Sequence, residues 1–469
     1  MSWPRGLIAL LLAGALGISA TPAQAAPDTQ ARSWGLNEFG QLGNSFIAPY
    51  PNAYQVRVHD GESFVQVATG SLYALGRDEG GRIYHWGRAY DPDTSSVRNL
   101  IKPQFLFQLP GTTSIAAGYS WGMALRDDGT LWTWGFNGEG QLGTGDRLNR
   151  YFPTKMTGLP PIFRIFAAEN RAYAIDVNNR LWAWGDNTLG RLGDGTAVDR
   201  TRPVQLNVPR MSRVSPGANH TLAVAADNTV WAWGENGSGQ LGTGSTVDKT
   251  VPVPVSGLTN VKMTAVGEAH SLALLNTGEV RSWGLNNALQ LGVTGIVSRS
   301  TPGPTPSRSV TDIGAGNVSS HLLVDRQLFS FGSPELCGLG NCTLTQPTAT
   351  PVAMPGMRGI LQFDVENWQG LVVRDTTAGL GVFAQSDVVH PAEAVMVTND
   401  TTDTRTFTVA ELPDGVKVTF EPDVVPSKGQ TKVTVTGDVR EPTPVVIQAT
   451  ADKSADPVLL VTLVLQPGE

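Results

Sequence analysis

Leu131–Asp146 reads LWTWGFNGEGQLGTGD, and the phrase returns as LWAWGDNTLGRLGDGT from Leu181 and VWAWGENGSGQLGTGS from Val230. Shorter copies are SWGLNEFGQLG from Ser33 and SWGLNNALQLG from Ser282, with weaker ones in YHWG, ending at Gly87, and FSFGSPELCGLG from Phe329. The Trp-Gly or Phe-Gly steps fall at Trp34, Trp86, Trp134, Trp184, Trp233, Trp283 and Phe331, spaced by 52, 48, 50, 49, 50 and 48 residues. Self-similarity near 50 residues is the signature of a propeller or a solenoid.

A second phrase precedes most steps: AAGYSWGMALRDDGTLWTWG from Ala116, SPGANHTLAVAADNTVWAWG from Ser215 and AVGEAHSLALLNTGEVRSWG from Ala265. Alternating runs such as LAV and LWTW, joined by Asp-Asp-Gly-Thr or Asn-Thr-Gly-Glu, predict hairpins with Gly where φ is positive. No helix-length amphipathic run interrupts them, so a ring of small antiparallel sheets fits better than a helical solenoid. The 53 Gly and 31 Pro suit many short strands joined by tight turns.

Counting halves predicts how the ring shuts. Seven Trp/Phe-Gly halves begin at Trp34, and seven preceding halves lie near Ala68, Ala116, Ala167, Ser215, Ala265, Ile313 and Phe363. The first Trp-Gly half lacks an upstream partner, and FDVENWQGLVVRD, Phe363 to Asp375, lacks a downstream one. Pairing them closes seven blades and removes the exposed edges of an open array.

WGxNxxGQLGxG preceded by a His-Thr/Ser-Leu-Ala strand resembles the regulator of chromosome condensation repeat family of seven-bladed propellers, over roughly Ala31–Asp375. The unit of Trp86 departs from the pattern: it lacks QLG and carries RAYDPDTSSVRNLIKPQFLF. The unit of Phe331 replaces Trp by Phe and carries Cys337 where the unit of Trp134 has Gly140. From Thr376 the repeat stops. About seven short alternating strands follow, and LPDGVKVTFEPDVVPSKGQTKVTV, from Leu412, resembles immunoglobulin-like modules of bacterial exported proteins. Charge steps at the same place: Thr376–Glu469 has 6 Lys and Arg against 13 Asp and Glu, while the rest of the chain nets zero. The expected organisation is a leader over 1–25, a propeller closed by the N-terminal strand over 26–375 and an immunoglobulin-like β-sandwich over 376–469.

The leader is expected because Arg5 precedes an apolar run from Gly6 to Ile18, which ends in Ala23-Gln24-Ala25, an A-x-A cleavage pattern. Thirteen apolar residues fall short of the ~20 that span a bilayer. An exported protein, with no membrane insertion after cleavage, is the expectation. Cys337 and Cys342, the two cysteines of the chain, are then expected as a small oxidised loop, contributing ~3 kcal/mol or less.

Candidate chemistry is sparse. His220, His270 and His321 recur 50 and 51 residues apart, as one slot of successive units, and read as blade histidines rather than a metal cluster. GxSxG, HExxH and phosphate-loop motifs are absent, and Asp91-Pro-Asp-Thr-Ser fails the calcium-loop pattern at its sixth and twelfth places. No enzyme, metal or cofactor is expected, and a net charge of −7 argues against nucleic acid. Nine tryptophans belong to the repeat. Trp121 and Trp368, with Tyr119, fall in the turn before the His-Leu-Ala strand, where they either cap the core or present rim aromatics to a protein. Other rim candidates are Asn170, Arg171, Asn219, Glu268 and Asn317.

The expected function is an exported, non-enzymatic scaffold offering its loop faces to an unidentified protein partner. The family resemblance includes nuclear exchange factors for a small GTPase, a role that export argues against. Rim aromatics also resemble those of a secreted propeller that inhibits β-lactamases, so the alternatives are an inhibitor of a secreted or periplasmic enzyme, or an extracellular glycan-binding or glycan-degrading protein. Closure itself is testable: mature chain lacking Ala31–Gly43 should lose cooperative unfolding in a thermal melt, and an unchanged melt would refute the pairing.

Overall fold

A computed structural model describes residues 29–43, 52–57, 64–91, 96–307 and 309–335, with shorter runs between 339 and 465. The leader, Trp368 and the Cys337–Cys342 pair lie outside the described residues. The described chain is all-β apart from short 3-10 turns such as Thr188–Gly190.

Seven four-stranded antiparallel sheets follow one another. The sheet of Trp134 shows the pattern: Thr112–Ala117 innermost, then Trp121–Arg126, Leu131–Gly135 and the outermost Arg150–Lys155. We number this sheet blade 2 and the others in chain order. Blade 1 contains Trp86, and blades 3 to 6 contain Trp184, Trp233, Trp283 and Phe331. Blade 7 takes its inner strands, Ile360–Glu366 and Gln369–Asp375, from the end of the repeat and its outer ones from the N-terminus. Thr29–Gly35 pairs with Gln369–Asp375 from Thr29↔Asp375 to Gly35↔Gln369, and Asn52–Arg57 pairs outside it. The N-terminus therefore supplies two strands to the closure, one more than the half-unit count foresaw.

The Gly of each Trp-Gly step is imposed by φ and by space. Gly135, Gly185, Gly234 and Gly284 sit at φ 104°, 99°, 102° and 95°. A β-carbon on Gly135 would come within 2.6 Å of both the Ser120 carbonyl oxygen and Trp121 Cα in the adjacent strand. Asn137, three residues after Trp134, organises the following loop from within. Its Oδ1 accepts the Leu142 N–H at 2.9 Å, and its Nδ2 donates to the Asp146 and Leu148 carbonyls. Asn187 and Asn236 repeat the arrangement.

The apolar core lies between blades. Trp184 of blade 3 is buried against Met123, Leu125 and Leu131 of blade 2, and Trp233 of blade 4 against Tyr173, Ile175 and Leu181 of blade 3. Burying such side chains contributes about 1.5–3 kcal/mol each. An indole hydrogen bond crosses four of the junctions. The Nε1–H of Trp86, Trp184 and Trp283 donates to the carbonyl of Gln41, Gln141 and Gln240 in the preceding unit, at 2.9, 2.8 and 2.8 Å; Trp233 uses Arg191, which replaces Gln, at 2.9 Å.

Blade 1 breaks this chain. In place of a GQLG loop, its outer strands run on as a hairpin, Arg82–Asp91 and Ser96–Gln108. The blade survives and its loop changes, as the insertion implied. Trp134 of blade 2 consequently has no Gln carbonyl to meet, and its buried Nε1 has no hydrogen-bond partner among the described residues. Phe107 of the hairpin packs edge-on to it, centroids 4.9 Å apart. Tyr73's hydroxyl faces this indole but bonds His85 Nδ1 at 3.2 Å.

Residues 381–465 include two further sheets, one of four strands and one of five, the latter containing a parallel pair between Val388–Val389 and Leu459–Leu465. Among the described residues no helix is long and apolar enough to cross a membrane.

The indole bonds separate two otherwise similar substitutions. Trp184→Phe strands the buried Gln141 carbonyl and should cost about 1–3 kcal/mol more than Trp134→Phe, which removes no bond. Urea unfolding followed by circular dichroism reads the difference; equal destabilisation would show that the indole bonds contribute nothing.

Candidate functional site

Each blade makes a short turn between its two inner strands, and these turns form one rim. The long loops after the Trp-Gly steps lie at the same end. The Phe136, Asp186, Glu235 and Leu285 N–H groups, just past those glycines, donate to the turn carbonyls of Ser120, Asn170, Asn219 and Ala269 at 2.9–3.0 Å. Gln141 Nε2 of one loop also reaches Asn170 Oδ1 of the next blade's turn at 3.1 Å. The rim candidates therefore share a face, but they do not share a position.

The first residue of the second strand points inward. Tyr73, Trp121, Arg171, His220, His270 and Ser319 occupy it, each opposite the Gly of its own Trp-Gly or Phe-Gly step, and all are buried. Several reach the following blade. Trp121 Nε1 donates to the Glu169 carbonyl at 2.6 Å, and Arg171 Nη2 donates to the Gly217 and Ala218 carbonyls. His220 and His270 Nε2 bond Ser271 Oγ at 2.8 Å and Ser320 Oγ at 3.0 Å. Trp121 thus caps a blade junction and is closed to a ligand, and Arg171, expected on the rim, is an inter-blade post. His321 also departs from expectation: it sits two residues further along, opposite Ser330, and Ser319 holds the slot of His220. Spacing alone misaligned it: the turns before the slot are equal in length in blades 5 and 6, so the repeat there is 49 residues, from His270 to Ser319, and His321 falls two past it. Among the described residues no group of three or more His, Cys, Asp or Glu is placed to hold a metal ion.

Tyr119, Asn170, Asn219 and Asn317 are half-buried and Glu268 is exposed. Tyr119 is tied down without being covered. Its N–H donates to the Glu169 carbonyl at 2.9 Å, and its hydroxyl accepts from Arg88 Nη1 at 3.2 Å. The Arg88 guanidinium also lies 5.8 Å from the Tyr119 ring centroid and 5.2 Å from that of Phe39, so an Arg stands between two aromatic faces. Arg88 opens the insertion noted in the sequence, and its position beside Tyr119 was not legible there.

A second feature of this face also escaped the sequence reading. Leu148, Val198, Val247 and Val297 hold the same loop position in blades 2 to 5 and are 65%, 61%, 62% and 75% exposed. The buried Asn of each of the first three loops binds the backbone carbonyl there, which fixes the main chain and leaves the side chain in water. Aliphatic residues recurring where the loop is otherwise polar were the signal available.

Burial dominates the electrostatics of the inner posts. The pKa values of His220, His270 and His321 are pushed down from 6.5 to about 3, 4 and 3, chiefly by loss of water, and His85 falls to about 3 for the same reason. The folded imidazoles stay neutral where the unfolded chain takes up protons. Their contribution to stability is therefore full above about pH 6.5 and is lost as pH falls toward 4, with each His adding a slope of up to about 1.4 kcal/mol per pH unit. Asp312 and Asp364, whose carboxyls burial pushes up, act with the opposite sign and reduce the net slope. Stability from chemical denaturation at pH 7 and pH 4.5 should fall on acidification, and less steeply in His270→Asn. A flat profile between those values would contradict neutral buried imidazoles.

Comparison with known proteins places this architecture. The crystal structure of Prp20p from Saccharomyces cerevisiae superposes with a TM-score of 0.66 at 19% identity, covering 75% of this chain and 92% of that one. Human WBSCR16 gives 0.65 at 17% identity, covering 74% and 99%. In sequence, the ultraviolet-B receptor UVR8 of Arabidopsis thaliana is 28% identical over 145 residues, 30% of this chain and 33% of that protein. The regulator of chromosome condensation of Mus musculus is 37% identical over 89 residues, 19% of each chain. The matched stretches span about a third or less of these curated relatives. A match to the RCC1-like domain runs over residues 30–368, most of the length, and with seven blades built on its repeat the chain belongs to the RCC1-like domain family.

Proposed function

We propose that this chain is an exported, non-enzymatic binding protein whose loop face engages a protein partner. The observation that carries the reading is the line of exposed aliphatic side chains at Leu148, Val198, Val247 and Val297, held at one register on four consecutive blades. It shares a face with Tyr119 and Arg88, residue types that dominate binding hot spots. Scattered exposed aliphatics are ordinary; the same one in every loop of a rigid arc is a surface. Relatives support a protein partner. The yeast structures concern Prp20p and its binding to Gsp1p and histones, and yeast RCC1 with Kap60 bound. Burial of Trp121 removes one of the aromatics that a glycan platform would need. The leader pattern supports export, with an immunoglobulin-like module over 376–469 as spacer or docking unit.

Binding should be lost by about tenfold or more when Tyr119 and Arg88 are changed to Ala, or Leu148 and Val247 to Asp, with the thermal melt unchanged. The same partner, purified from the exported fraction by affinity capture, serves for both. Asp227→Asn, in the turn at the opposite end of blade 4, should leave binding intact. Turnover of a polysaccharide, or a saccharide-dependent rise in melting temperature, would replace the proposal, and mature protein not beginning at Ala26 would refute the leader.

A further inference from the structure

The ring encloses an axial channel of about 510 Å³, lined by the innermost strand of every blade. That volume falls in the range of small-molecule sites, ~300–1,000 Å³. Side chains alternate along those strands, so two tiers face the axis. One tier holds Gln66, Ser114, Arg164, Arg213, Met263, Asp312 and Gln362, one from each blade. The next holds Ala68, Ala116, Phe166, Ser215, Ala265, Gly314 and Asp364.

The charges in these tiers are segregated. Arg164 and Arg213 stand on blades 3 and 4, Asp312 and Asp364 on blades 6 and 7, and none of the four makes an ion pair among the described residues. The two glutamines are accounted for by the frame. Gln66 bonds the Ile115 N–H and carbonyl, and Gln362 bonds both groups of Val67, stitching adjacent blades. The charged residues are not accounted for in that way. Arg213 Nη1 meets only the Met263 sulfur, at 3.5 Å, and Arg164 lies over the Phe163 ring. Asp364 Oδ2 accepts from the Thr69 N–H and hydroxyl at 2.8 and 2.9 Å, and Asp312 Oδ1 from the Ile313 N–H at 2.9 Å. Asp364 also accepts from the Val365 N–H, whereas the second oxygen of Asp312 has no protein donor among the described residues.

We propose that the channel binds a small zwitterion, a free amino acid or short peptide, with its ammonium toward Asp312 and Asp364 and its carboxylate toward Arg164 and Arg213. Opposite charges set on opposite walls match a ligand carrying both signs and repel one presented in reverse. Burial pushes the Asp312 and Asp364 carboxyls up and the Arg213 guanidinium down; the attraction of Arg213 and Lys262 for Asp312 offsets that only in part, and a dipolar ligand would add to it. The rim end is drawn in by backbone. Gly70, Gly118, Gly217, Gly267 and Gly316 recur there, and a β-carbon on Gly70 or Gly118 would overlap the carbonyl of the neighbouring turn. At the opposite end Phe163 and Leu361 are exposed, and the charged tiers lie along the inner strands rather than in the rim turns.

The probe is Gly-Gly-Gly, compared with its N-acetyl and C-amide forms by titration calorimetry on the full chain. The free-ended peptide should bind, and each cap should weaken it by about tenfold or more. Asp312→Asn should weaken the free peptide but not the N-acetyl form, and Arg213→Gln the free peptide but not the amide. Both substitutions lie on half-buried channel walls, and an unchanged melt certifies the fold; Tyr119→Ala should have no effect. Equal binding of free and capped peptides, no heat up to about 10 mM, or affinity indifferent to both channel variants would overturn the proposal.

Discussion

Four of the seven blade junctions are fastened by one indole N–H meeting one backbone carbonyl. The carbonyl belongs to the Gln or Arg of the QLG or RLG phrase, and the indole to the Trp-Gly step about 43 residues later. That bond explains why two phrases so far apart recur together. The Trp must be large enough to fill the junction and polar enough to cap a carbonyl that no strand partner reaches. The Gly after it lets the turn before the adjacent second strand approach. Ser271 and Ser320 add hydroxyl donors to the carbonyls of Gln240 and Gln290. In blade 6, where Phe331 lacks an N–H, Ser320 thus satisfies the Gln290 carbonyl instead. Where the acceptor is missing, at blade 1, a long hairpin substitutes apolar contact through Phe107 and leaves the Trp134 indole without a hydrogen-bond partner among the described residues.

Such a frame assigns most of its informative-looking residues to architecture. The buried post at the start of each second strand is an aromatic, a cation, an imidazole or a hydroxyl, according to the blade, yet the position does one job. Trp121, Arg171, His220 and His270 each lean on the following blade. A residue type that signals chemistry elsewhere is here one of several ways to fill the same gap. The imidazoles show the cost: kept neutral by burial, they make the ring depend on pH.

Periodicity was enough to read the blades, their number and the circular closure, because identical spacing fixes identical topology. It was not enough to aim side chains. In a four-residue turn a shift of one position turns a rim residue into a buried post, and Trp121 and Tyr119, two residues apart, take those two fates. His321 makes the same point, since 51 residues from His270 looks like one repeat and lands two positions off the slot. The Arg88–Tyr119 contact joins adjacent blades from the position just past the Trp-Gly step, where other blades carry Phe136, Asp186, Glu235 and Leu285, so alignment finds the position but not the contact that this one cation makes.

The channel was the least legible part, for a related reason. Its charged residues come from four blades, and each looks unremarkable alone: Arg164 and Arg213 are single cations in alternating strands, Asp312 and Asp364 single anions. Only closure brings them to one axis, and only chain order decides that the cations fall on adjacent blades 3 and 4 and the anions on 6 and 7. Interleaving that let each charge neutralise a neighbour would serve the stability of the ring better, because half-buried charges such as Arg213, Asp312 and Asp364 are costly without an ion pair. The Gln66 and Gln362 side chains show that neutral residues at the same tier hold the blades together well. Retaining ions where neutral groups would suffice, and separating them by sign, is intelligible if something carrying both signs completes the circuit between the walls.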